Sequence, residues 1–165
     1  MRSERGAVSV MLLGTLLTIF LVLFMAMAVL AVGVFKSAYQ VYGAAGNALT
    51  FAVYAADLDG SVSGPSRLTP DRVTPYFVYA FQKITGSAGS GVPGTFAGGD
   101  LPATVQITGL YPVTAGEVLP SGSVTNQPGF VVSLRVPVLT RPILGLPPWS
   151  VTVNRFAVVQ PMPVN

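Results

Sequence analysis

From Gly6 to Phe35 this chain carries no charged side chain. Thirty residues of that kind leave few folded solutions. As a helix, residues 7–35 extend roughly 44 Å at 1.5 Å per residue, against the roughly 30 Å of a bilayer's hydrocarbon layer. A cleaved secretory signal has an apolar region of only about 7–15 residues, whereas a spanning helix needs about 20. Small-residue stretches at Ala26-Met27-Ala28 and Ala31-Val32-Gly33 mimic signal-peptidase sites. The length nonetheless favours a retained transmembrane helix over residues 7–35, behind a basic leader at 1–6.

Arg2, Arg5 and the terminal amine precede the span, and Lys36 follows it. That asymmetry leans toward a cytoplasmic N-terminus, with the bulk of the chain outside the membrane. The remaining charges exclude more than they assign. Only 9% of residues are charged, against roughly 25% in a soluble globular chain. The net charge of +3 is scattered, with no basic stripe, so no nucleic-acid partner is expected. The chain has no cysteine and no histidine. Disulfides, thiolate or imidazole zinc sites and a histidine-based triad are therefore excluded.

The helix is expected to continue past the membrane over residues 36–60. Phe35, Tyr39, Tyr42, Leu49 and Val53 form an apolar seam at heptad spacing. Ala44, Ala48, Ala52 and Ala56 recur every fourth residue, a stripe that lets a second helix or a sheet approach the backbone closely. Alanine is also the best helix former, so propensity alone accounts for the stripe equally well. "DLDG" at 57–60 is expected to end the helix.

An extracytoplasmic α+β domain is expected over residues 61–165. Thr69 as cap, Pro70 at the first position and Asp71 in the first turn open a second, shorter helix, and Gly86 stops it. Pro75 conflicts with that start and argues for one at Thr74–Pro75. Val73, Phe77, Ala80, Phe81 and Ile84 line one face, leaving Tyr76 and Tyr79 near the rim. The Gly- and Ser-rich residues 85–100 read as a loop. It has neither a following helix nor the Lys and Ser or Thr of a phosphate cradle. "ATVQITGL", "GFVVSLRVPVLT" and "WSVTVNRFAVVQP" alternate as strands of a small antiparallel sheet, with Pro137 marking an edge or a bulge. Trp149 is expected to pack at the sheet's edge.

No catalytic constellation stands out. Asp57 and Asp59, joined by Glu117 or Asp100 from loops, are the only candidate carboxylate group, and "DLDG" is an ordinary turn. A calcium loop opening at Asp57 needs glutamate at its twelfth position, which is Leu68. No enzymatic activity, metal or cofactor is expected.

"RSERG", then a retained apolar helix and a small β-rich outer domain, resembles the type IV pilin superfamily. Within it the layout is most similar to TadE-like pseudopilins of tight-adherence pilus systems. The resemblance implies a membrane-held structural subunit, processed by a prepilin peptidase, that helps assemble a surface filament. The partners implied are the lipid bilayer and other pilin-like subunits or pilus assembly proteins, with further copies of the chain associating through the N-terminal helix. The scissile bond carried over is Gly6–Ala7. That family usually has glutamate at the fifth mature residue, to neutralise a neighbour's new amine. Here that residue is Met11, which fits a minor subunit or an anchor that is never cut. A single-span protein unrelated to pili, with an outer binding or accessory domain, is the alternative.

Overall fold

A computed structural model describes residues 2–62, 68–139 and 147–159, with side chains in α1 described from Val10 to Asp59. The order of elements is α+β. Helix α1 (Arg2–Val62) and helix α2 (Pro70–Thr85) are followed by strands β1 (Ala88–Gly89), β2 (Gly94–Ala97), β3 (Val105–Val113), β4 (Gly129–Leu139) and β5 (Trp149–Val158). The chain divides into two compact units, Met1–Lys36 and Ser37–Asn165.

In the first unit the only element is the apolar part of α1. Its large side chains are exposed throughout, from Val10 at 71% to Val32 at 67%. In the second unit the five strands form one antiparallel meander in the order β1-β2-β3-β4-β5. One sheet face carries Ile107, Leu134 and Val153 in register, then Leu110, Val132 and Arg155. Those apolar residues join Val41, Ala45, Leu49 and Val53 of α1, and Val73, Phe77 and Phe81 of α2, in one buried core. The opposite face is mainly polar: Ser133 Oγ donates to Asn154 Oδ1 at 2.7 Å, and Arg135 Nε donates to Ser150 Oγ at 2.6 Å.

Several expectations need correction. Helix α1 runs two residues past Gly60, because one glycine costs a helix only about 1 kcal/mol relative to alanine and does not break it. Helix α2 begins at Pro70, not at Thr74–Pro75, and keeps Pro75 inside. The proline is exposed, and Asp71, whose carbonyl it leaves without a helical donor, is exposed to water as well. At the other end Ile84 is 43% exposed, and Thr85 takes the buried position. Burial of the Thr85 hydroxyl is offset by donation to the Phe81 carbonyl at 2.6 Å and by pairing with Ser87 at 2.7 Å. Gly86, in the left-handed region at φ 64°, caps the helix.

Residues 85–100 are not simply a loop. They include β1 and β2, and Phe96 from β2 packs edge-on against Phe81 with ring centroids 5.4 Å apart. Pro137 sits where the β4–β5 register shifts, beyond the last β3 partner of β4 at Arg135. The missing N–H therefore interrupts only one ladder.

Candidate functional site

The first functional surface is the apolar stretch of α1. No residue in its most apolar 18-residue stretch is buried within the chain. A contiguous exposed apolar surface of that extent requires lipid or other apolar helices around it. Its two threonines bond to the helix's own backbone. Thr15 Oγ1 donates to the Met11 carbonyl at 2.9 Å, and Thr18 Oγ1 to the Gly14 carbonyl at 2.8 Å. In hydrocarbon, where water cannot serve as partner, such internal bonds remove the main cost of a hydroxyl. Gly6 and Ala7 lie within the helical backbone of α1, and their side-chain surroundings lie outside the described residues. Met11, at the position where the pilin pattern has glutamate, is 78% exposed.

The second surface is the alanine stripe. Ala48 and Ala52 are fully buried, Ala56 is 1% exposed, and Ala44 packs half-buried against the same core. Alanine at these positions lets the α1 backbone approach the inner face of the domain. The aromatic seam divides. Leu49 and Val53 are in the core, but Phe35 and Tyr39 are 76% and 77% exposed, and Tyr42 is 38% exposed. Phe35 and Val53 are five full turns apart and share one side of a straight α-helix, so the division follows position along α1 rather than direction around it: the first α1 residue in the core is Val41.

Tyr42 has a different partner. Arg155 of β5 donates from Nη1 to the Tyr42 hydroxyl at 2.5 Å, and its guanidinium carbon lies 4.1 Å from the Tyr42 ring centroid. Gly46, one turn further along α1, makes room. A Cβ there would stand 2.8 Å from Arg155 Nη2 and 3.0 Å from Cζ. Nε of Arg155 is buried and has no hydrogen-bond partner. The alternation of β5 places Arg155 with Val151 and Val153. Nothing in the one-dimensional pattern linked it to Gly46 or Tyr42, although a glycine interrupting an alanine-rich helix was a usable signal.

Among the described residues the acidic side chains form no common site. Asp57 lines a small cleft with Val53, Tyr54, Val158 and Val159, whereas Asp59 lies on a groove of about 690 Å³ toward α2. Residues two apart on a helix face different ways, so "DLDG" makes no carboxylate pair. In the larger groove the Tyr76 phenol is held above its ordinary pKa, first by desolvation, then by the charge and hydrogen bond of Asp59, with Arg72 opposing. Glu117 accepts from the Thr114 amide at 2.9 Å and so closes its own turn. Asp100 lines a separate cleft with Gln40 and Asn47. Among the described residues no cluster of three metal-ligating side chains occurs.

No family model, curated protein or solved structure matches this chain. The order of its elements, a long apolar helix followed by an antiparallel sheet, is pilin-like.

Proposed function

We propose that this chain is a membrane-anchored, pilin-like structural subunit of the TadE-like kind, taking part in the assembly of a surface filament. The observation that carries the reading is the exposed apolar length of α1, whose threonine hydroxyls are bonded to its own backbone. Such a helix is stable in lipid or among like helices and is poorly solvated by water. On this reading the N-terminus is cytoplasmic and the α+β domain stands outside, while α1 serves first as anchor and then as the contact between copies. No catalytic role, metal or cofactor is part of the proposal.

A second reading is favoured by one residue. Met11 offers no carboxylate to a neighbouring subunit's amine, and an unpaired buried amine is costly. A single-span protein with an outer accessory domain, never cut at Gly6–Ala7 and never part of a filament, has no such cost. Mass spectrometry of the mature N-terminus, on membrane and sheared-filament fractions, separates the two. A chain starting at Ala7 and present in filaments supports the subunit. An intact Met1 confined to membranes supports the accessory protein, and a start near residue 30 removes both.

A further inference from the structure

Within the second unit, the direction of each element follows from its contacts. Arg155 stands beside Tyr42 and Gly46, while Val158 and Val159 share a cleft with Val53, Tyr54 and Asp57. Strand β5 therefore runs the same way as the Ser37–Val62 part of α1. Trp149, six residues before Arg155, lies about 20 Å back along β5 at roughly 3.3 Å per residue. Ser37 is only about 8 Å back from Tyr42 along α1 at 1.5 Å per residue. The start of β5 is thus at the end of the domain where α1 enters it.

Charge is divided along the same direction. Helix α2 runs opposite to α1, since Tyr76 meets Asp59 while Ile84 and Thr85 share a cleft with Gln40 and Val41. The turn bearing Glu117 follows Val113, which pairs with Gly129, and Gly129 pairs with Val158 at the far end. Among the described residues, Asp57, Asp59, Asp71 and Glu117 thus lie toward the far end with Arg72; Arg67 lies outside the described residues. Lys83, Arg135 and Asp100 stand toward the end where α1 enters, and Arg155 lies between. After Glu117 the chain has arginines at 135, 141 and 155 and no carboxylate; Arg141 lies outside the described residues. Arg135 donates to Ser150, and among the described residues no carboxylate pairs with it.

Trp149 is the only tryptophan in the chain and is 49% exposed, next to exposed Pro147 and Pro148. Proline has no N–H to leave unsatisfied at an apolar boundary, and tryptophan is enriched at the headgroup level of membranes. We infer that this end of the domain docks on the anionic headgroup surface of the bilayer. Trp149 sits at the level of the headgroups, and Arg135 faces lipid phosphate. The inference rests on the membrane-anchored reading above. Among the described residues the far end carries an excess of carboxylates, so presenting that end to the same surface would be unfavourable.

The test uses the full chain in phosphatidylcholine vesicles, with and without phosphatidylglycerol, and with brominated acyl chains as quencher. Flotation reports anchoring, and Trp149 emission reports docking. The chain floats with both vesicle types. Bromolipid quenching of Trp149 is about threefold stronger with the anionic lipid, as expected for a surface that attracts basic side chains. Arg135→Gln lowers it toward the neutral-vesicle value, and Arg135→Lys retains it. A chain that floats but shows equal quenching in both lipids overturns the docking and leaves the anchor standing. Shielding of Trp149 that rises with protein density and ignores bromolipid assigns this end to a second copy and overturns it too. Failure to float overturns the anchored reading, and the docking with it.

Discussion

The guanidinium of Arg155 lies against Gly46 of α1, in space that any other residue's Cβ would occupy. An edge strand and a helix more than a hundred residues earlier are joined there through one glycine. The neighbouring Tyr42 hydroxyl and ring hold the arginine in place. Cation–π contact at an exposed site contributes about 0.5–1 kcal/mol, and one hydrogen bond about 1 kcal/mol.

Arg155→Ala is therefore expected to lower domain stability by about 1–2 kcal/mol, measured by denaturant unfolding of the full chain in detergent. Gly46→Ala displaces the arginine, so in that background Arg155→Ala costs clearly less. Additive effects of the two changes would show that the contact is not a coupled unit. Arg155→Met keeps the packing and removes the buried Nε that lacks a partner. It is expected to fall within about 1 kcal/mol of the native chain.

The alanine stripe has its own test. Ala52 is fully buried, so Ala52→Leu overpacks the core and is expected to cost about 1–3 kcal/mol. Gly43, on the same helix, has open space where a Cβ would go, so Gly43→Ala gains about 0.5–1 kcal/mol by helix propensity. A nearly neutral Ala52→Leu in thermal unfolding, with Gly43→Ala still stabilising, would mean that the stripe serves propensity alone.

Phe96 is the anchor of the short strand β2. It is fully buried against Phe81, and Phe96→Ala is expected to cost about 3–5 kcal/mol. Hydrogen exchange then shows residues 88–97 losing protection before the β4–β5 pair does.

The pH dependence follows from Tyr76. Its folded-state pKa is raised, so its contribution is complete below the ordinary tyrosine value of 10.0 and is lost as pH rises beyond it. Unfolding midpoints between pH 8 and 11 should fall more steeply for the native chain than for Tyr76→Phe. Asp59→Asn removes the charge and shifts the Tyr76 absorbance titration downward. A titration that Asp59→Asn leaves unmoved would contradict the assigned cause.

Long periodic elements were legible in the amino-acid order. The uncharged run of α1, the inward face Val73–Phe77–Ala80–Phe81 and the alternation of β4 are repeated signals of burial, each renewed every few residues. The β1–β2 hairpin was not legible, because two- and four-residue strands rich in glycine offer no period to read. Phe96 was its one aromatic marker. Thr85 in place of Ile84 depended on a hydroxyl finding two local partners, which hydrophobic patterning cannot register. The Arg155–Gly46 contact joins residues with no shared period, so only the folded chain brings them together.

The central claim is that the apolar length of α1 is retained and lives in lipid. Sodium carbonate extraction followed by flotation, on native membranes and with the N-terminus read by mass spectrometry, addresses it directly. The account predicts a chain that keeps residues 7–35 and floats with the lipid after extraction. A monomer that keeps the same residues and remains in the aqueous fraction without detergent would contradict it.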